Sequence, residues 1–261
     1  MTTTTGPSTA ETSSPGTLSR PEVERFLAEG YLGPYQARSP EEMAQLRRRI
    51  DQEVLTTPGP QGTPPVKCRH LDQRLVHDLV TDEAVLGRLR SLIGDDIVLW
   101  ASHFFNKESG GKEIPWHQDA HFWPIEPPVN VSIWMAIDEV TTENSCVQVI
   151  PGSHRRVVPH VKSRPDMAFG DEADPSEVDA SRAIDMELAP GEFFIFNERM
   201  LHHSHRNDSD RRRLGLSARY IPPFVSLLEQ DEPPLYPGHR CLLVSGQDRF
   251  GLNRMGEPPA S

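Results

Sequence analysis

The 261-residue sequence predicts a mainly β protein with flanking helices, in which N-terminal helices lead into an antiparallel sandwich or barrel. Three observations carry this. Capped helical segments end near Gly94. From Ile97 onward the chain turns to short β-branched or aromatic runs separated by Gly, Pro, Asn and Asp. Two of those runs alternate an apolar face with a small or polar one, as strands lining a cavity do.

Residues 1–18 are mostly Thr, Ser, Pro and Gly, offer almost nothing to bury, and are expected to form a disordered tail ahead of a single domain over residues 19–261. "SRPEVERFLAEG" predicts a short helix with Ser19 as cap and Gly30 as stop. "SPEEMAQLRRRIDQEVL" predicts a second, because Ser39, Pro40 at the first helical position and Glu42 three residues after the cap form a capping box. "TPGPQGTPP" reads as a loop. "TDEAVLGRLRSLIG" predicts a third helix with Thr81 as cap and Gly94 at its end.

The predicted strands are "IVLWASHFFNK", "NVSIWMAIDEV", "CVQVI", "EFFIFNE" and "RLGLSARYIPP". In the second, Val131, Ile133, Met135 and Ile137 share one face, and Ser132, Trp134, Ala136 and Asp138 the other. In the last, Leu214, Leu216 and Ala218 alternate with Arg213, Gly215, Ser217 and Arg219. The segment between Arg164 and Leu188 is long and acidic, in the manner of a lid or a solvated insertion.

A formal charge of −11 argues against nucleic-acid or anionic-membrane partners and in favour of a small molecule. Cys68, Cys146 and Cys241 form no CxxC and no even framework, so a reducing compartment is expected. No segment approaches the ~18 apolar residues of a spanning helix, and the first residues lack a signal-peptide pattern. A cytoplasmic protein, monomeric or weakly dimeric, is the expectation.

The segment "PWHQDAHFWP" is too polar for a core and too aromatic for a linker, and its flanking prolines argue against a helix. On a strand, His117 and Asp119 at i and i+2 point the same way. Downstream, "LHHSHRNDSDRRR" offers His202, His203 and His205. Two histidines and a carboxylate on one side of a metal suit a non-haem Fe(II) oxygenase. Their bland alternative is a hydrogen-bonded pair closing a turn.

Taken together, these motifs resemble the phytanoyl-CoA dioxygenase branch of Fe(II)/2-oxoglutarate-dependent oxygenases, over most of the chain from Ser19. "WHQDAHFWP" is similar to the family's His-Gln-Asp segment. "SIWMAIDEVTTENSCVQVIPGSH" is similar to its Trp-x-Ala strand, Asn-Gly-Cys turn and Pro-Gly-Ser/Thr-His ending, and "LHHSHRNDSDRRR" to its distal series. The resemblance implies a double-stranded β-helix, a jelly-roll or cupin-like barrel. It makes His117, Asp119 and His202 the iron ligands, with Ser204 setting the register in favour of His202 over His203. It places Ser204 and Arg213 on the 2-oxoglutarate carboxylate, Trp134 beside the cosubstrate, and His103 near the same pocket. Lys67 is a candidate for a further family lysine.

The guanidinium fork of Arg213 suits a carboxylate in two parallel charge-assisted bonds, whereas Arg211 and Arg212 read as a solvated turn. His121 is either a cavity residue or a structural hydrogen bonder, and His154 and His160 read as turn and loop residues. With Fe(II), 2-oxoglutarate and O2, the implied reaction hydroxylates an unactivated C–H of a small specialised metabolite and yields succinate and CO2. Desaturation, epoxidation or cyclisation are open to the same chemistry. Asp119 fills the position that related halogenases leave to chloride. Competing readings are a cupin-type metal isomerase or hydrolase and a non-catalytic small-molecule binding protein. HExxH is absent, which argues against a zinc protease.

Overall fold

The structure is a computed structural model and describes residues 16–228, 236 and 238–260. Of the predicted tail, residues 1–15 lie outside the described residues; Leu18 is buried, and its amide donates to Ser91 Oγ at 3.1 Å.

Four α-helices precede most of the sheet: α1 (Arg20–Glu29), α2 (Pro40–Arg49), α3 (Arg74–Val80) and α4 (Glu83–Ile93). The predicted capping box at Ser39 forms, its amide donating to Glu42, and a second, not predicted, forms at Ser19, whose amide donates to Glu22. The helix after Ser39 keeps its α geometry only to Arg49 and continues to Val54 as a wider turn, with Leu55 N bonded to Ile50 O. Thr81 is not the cap of the last helix. Asp82 is, its carboxylate accepting from Ala84 N at 2.8 Å, while Thr81 ends α3 by bonding back to His77 O. A carboxylate at the helix start gains both the amide bond and the dipole, which decides between adjacent cap types.

The strands follow as β1 (Tyr31–Gln36), β2 (Ile97–Lys107), β3 (Ile114–His117), β4 (Ile125–Glu126), β5 (Val131–Ala136), β6 (Val147–Val149), β7 (His160–Lys162) and β8 (Asp171–Ala173). The remainder are β9 (Ile184–Met186), β10 (Glu192–Asn197), β11 (His202–Ser204), β12 (Arg213–Ile221), β13 (Ser226–Leu227) and β14 (Leu242–Ser245). A six-stranded antiparallel sheet runs β1-β10-β5-β12-β2-β14, and a four-stranded one runs β3-β11-β6-β9. The pairs β13-β4 and β7-β8 complete the described strands.

The alternation read from sequence decides how the layers meet. Val131, Ile133, Met135, Ile137, Leu214, Leu216 and Ala218 pack with Phe26, Met43, Val76, Leu79, Val85 and Leu89 of the helices, forming one large core on the outer face of the six-stranded sheet. Trp134 and Ala136 turn the other way and pack with Phe194, Phe196, Val147, Val149 and Met186 between the two sheets. One face of each strand therefore supports the protein through apolar burial. The opposite face is free to line a cavity.

Arg212 is more than a solvated turn residue. Its guanidinium bonds Asp138 at 2.9 and 3.1 Å and Asp51 at 2.7 and 3.2 Å, tying the turn after α2 to the end of β5. Arg211 makes only exposed pairs with Glu139 and Glu143.

Candidate active site

A cavity of about 480 Å³ opens between the two sheets. Its wall includes every residue assigned by resemblance: His117, Asp119, His202, Ser204, Arg213, Trp134 and His103. Lys67 lines it too, forming an isolated bridge with His103.

His117 ends β3 and His202 begins β11, and the two are direct antiparallel partners. Asp119 does not continue the strand. It opens a short 3-10 turn, Asp119–His121, so it meets His117 because the chain folds back rather than through strand alternation. The ligand atoms of His117, Asp119 and His202 all lie within 4.8 Å of one another. Asp119 Oδ1 stands 3.7 Å from His117 Nε2 and 3.9 Å from His202 Nε2.

The hydrogen bonds of the imidazoles set their tautomers. His117 Nδ1 lies 2.8 Å from Pro115 O, and His202 Nδ1 lies 2.9 Å from Met200 O. A carbonyl only accepts, so each Nδ1 donates and each Nε2 turns a lone pair toward Asp119. Burial, followed by the proximity of His117, pushes the His202 pKa down to about 3, which keeps that lone pair unprotonated. Burial alone raises the Asp119 pKa, but Arg219 and the two histidines hold the carboxyl well below its usual range. Asp119 Oδ2 is buried with no hydrogen-bond partner. Two imidazole Nε2 atoms and a carboxylate converging on one point fit a divalent cation, with nitrogen and oxygen donors in the set used by non-haem iron.

Alternation along β11 separates His202 from His203, whose Nδ1 faces Gln148 Oε1 at 3.2 Å and Nε2 Glu113 Oε1 at 3.1 Å while its ring stacks on Trp116. Ser204 shares the inner face. Its Oγ accepts from Lys107 Nζ at 2.7 Å, and Lys107 also donates to Ser145 Oγ and His205 O. Sequence reasoning missed Lys107, since a lysine closing a strand carries no signal for a partner 97 residues away. Burial, then the nearby Arg213 charge, brings its pKa down to about 6.

Arg213 is 1% exposed. One Nη donates to Ser145 O at 3.0 Å, the guanidinium lies 5.3 Å from the Trp134 ring centroid, and Nε has no partner. Burial lowers its pKa to about 10, leaving it charged at neutral pH. Gly215 makes room for this arrangement, because a Cβ there meets Trp134 Cζ2 at 2.0 Å. Ser145, in the turn before β6, adopts a φ of 76°, a left-handed conformation that favours glycine.

The remaining candidates fall at the edges. His121 Nε2 faces Asp171 Oδ2 at 3.2 Å and stacks on His160, outside the cavity wall. His160 is not a loop residue; it begins β7, and its Nε2 accepts from Gln118 N. His154 sits in a short turn. From the acidic segment, Ala168, Phe169 and Gly170 join the wall, with Phe169 edge-on to His117 at 4.9 Å.

Sheet sandwich, inward cavity and a cluster of two histidines with one carboxylate together define a double-stranded β-helix protein with a metal-binding floor. The phytanoyl-CoA dioxygenase (PhyH) family model matches residues 26–215, and the chain belongs to that family. Dioxygenase lolE1 of Epichloe uncinata is 34% identical over 146 residues, covering 56% of this chain and 54% of its own. The chain spans about half the length of the first curated relatives it matches. Among solved structures, the non-heme monooxygenase ThoJ superposes with a TM-score of 0.79 at 24% identity, over 92% of this chain and 88% of its own. CytC3 with Fe(II) and alpha-ketoglutarate gives 0.75 at 26% identity, over 94% and 96%. Among the described residues no helix is long and apolar enough to cross a membrane.

Proposed function

We propose that the chain is an Fe(II)/2-oxoglutarate-dependent dioxygenase that hydroxylates an unactivated C–H bond of a small specialised metabolite. The observation that carries this reading is the convergence of His117 Nε2, His202 Nε2 and the Asp119 carboxylate on one point of the cavity wall, with Arg213 buried in the same wall. Membership of the family and the likeness to CytC3 with Fe(II) and alpha-ketoglutarate support it.

His117, Asp119 and His202 would hold the ion on the cavity wall. When bound, Fe(II) and the keto acid supply the oxidising chemistry, consuming O2 and releasing succinate and CO2. Arg213 receives the distal carboxylate of the keto acid on its free N–H edge. Ser204, held in place by Lys107, adds a hydroxyl, Trp134 walls the chain of the keto acid, and His103 lines the same cavity further along. Phe105, Phe122, Phe169 and Phe196 keep the remaining space apolar and dry, which protects a C–H substrate from competing water. A cavity of this volume is in the range for small ligands.

Under argon, Fe(II) and 2-oxoglutarate are expected to give the purified protein a visible metal-to-ligand charge-transfer band, and O2 then produces succinate. His117→Ala abolishes the band. Binding of metal with no dependence on the keto acid favours instead a cupin-type isomerase or hydrolase.

A further inference from the structure

The keto acid and the metal leave one part of the cavity unexplained. Arg219, at the far end of β12 from Arg213, is 4% exposed and lines the cavity. Its Nε is buried without a partner. The guanidinium stacks 4.5 Å from the Trp123 ring centroid, and Nε stands 3.8 Å from Asp119 Oδ2, too far for a hydrogen bond. Two further donors in the same wall are also orphaned: Trp123 Nε1 and Ser217 Oγ. Orphaned buried donors cost about 1–3 kcal/mol each, more when charged, so these three, in addition to Arg213 Nε, call for an acceptor-rich guest.

The charge balance points the same way. Among the described residues, Lys67, Arg213 and Arg219 are the cations of the cavity wall and Asp119 is its only acid, in a chain with a formal charge of −11. A divalent ion on Asp119 would offset that carboxylate's charge and leave Arg219 with no anion facing it. Arg213 and Arg219 are six residues apart, roughly 20 Å of strand, so they serve different parts of the cavity.

We propose that Arg219, with Trp123 Nε1 and Ser217 Oγ, is the recognition site for a carboxylate on the substrate, whose remaining body is apolar or aromatic. The inference rests on the functional reading above and names its substrate class. A guanidinium whose carbon sits over an indole face and whose Nε has no partner can offer an edge to a carboxylate in two parallel bonds. Phe122 and Phe169 beside it present only hydrocarbon, so specificity lies in one anionic contact and an apolar enclosure.

The test uses a series of aliphatic and arylalkyl monocarboxylates, acetate through 4-phenylbutyrate, each paired with its neutral primary amide. Binding is measured by calorimetry on the protein with Fe(II) and 2-oxoglutarate under argon, and again on the metal-free protein. At least one acid is expected to bind tenfold or more tightly than its amide. Arg219→Gln removes that preference and Arg219→Lys keeps part of it, while Trp123→Phe weakens it with the charge-transfer band and keto-acid affinity as in wild type. Equal binding of acid and amide, no binding across the series, or an Arg219→Gln variant that loses keto-acid affinity as Arg213→Ala does overturns the proposal. If the wild-type band fails to form, the dioxygenase reading falls, and acid-over-amide selectivity in the metal-free protein still decides the role of Arg219.

Discussion

His117 and His202 are direct partners across the β3–β11 ladder, with ring centroids 4.0 Å apart, and each donates Nδ1–H to the carbonyl two residues before it. The same local device orients both imidazoles, so both Nε2 atoms turn toward Asp119 Oδ1, at 3.7 and 3.9 Å. On the proposed reading, backbone geometry aims the two imidazoles that would bind the ion.

His202→Ala is therefore expected to weaken Fe(II) affinity by about 100-fold or more, measured by anaerobic titration calorimetry. His203→Ala leaves that affinity unchanged and lowers only the melting temperature, because both ring nitrogens of His203 are engaged by Glu113 and Gln148 rather than turned toward Asp119. Equal losses in the two variants contradict the register of β11.

Arg213→Ala is expected to raise the 2-oxoglutarate dissociation constant by roughly 30- to 1000-fold, equivalent to about 2–4 kcal/mol for a buried charge-assisted pair. Arg213→Lys does not restore it, since an ammonium lacks the planar fork. Keto-acid titration of the charge-transfer band measures both.

Gly215→Ala places a methyl group into the Trp134 ring, at 2.0 Å from Cζ2. Overpacking of this kind costs about 1–3 kcal/mol. The displaced indole also disturbs Arg213, so melting temperature and keto-acid affinity are expected to fall together. A loss of stability with unchanged affinity shows that Trp134 yields without moving Arg213.

Stability is expected to fall on mild acidification. Burial lowers the His70 pKa to about 3, with a smaller contribution from His239, and burial lowers that of His239 to about 4. Between these values and the unfolded pKa near 6.5 the unfolded chain binds the extra protons. The stabilisation is complete above pH 6.5 and is lost as pH falls, at about 1.4 kcal/mol per unit for each histidine, or about 2 kcal/mol each by pH 5. Urea unfolding at pH 7 and 5 measures the difference. His70→Gln should flatten the slope by about one histidine's share; an unchanged slope contradicts the assignment.

Much of this molecule was legible because burial writes a local pattern. The run 97–107 is a strand from its first predicted residue to its last, and the alternation over 131–136 and 213–219 separates helix-facing residues from a face of which Trp134, Arg213, Ser217 and Arg219 reach the cavity, whereas Asp138 pairs with Arg47 and Arg212 instead. Strand β1 escaped notice because Gly33 and Pro34 interrupt it, as an edge strand permits. Helix α3 is short and has no side-chain cap, leaving no start signal. Lys107 and Arg219 acquire meaning only through pairings across the sheet and the cavity, to Ser204 and toward Asp119 and Trp123. No spacing in the chain encodes such distances.

The central claim is that three side chains hold one ferrous ion from one side of the cavity. Anomalous diffraction at the iron edge, from crystals grown anaerobically with Fe(II) and 2-oxoglutarate, tests it most directly. The account predicts a single strong peak at coordination distance, roughly 2 Å, from His117 Nε2, His202 Nε2 and the Asp119 carboxylate, lost in His117→Ala. A peak beside His121, His160 and Asp171 instead, or none in the cavity, contradicts it.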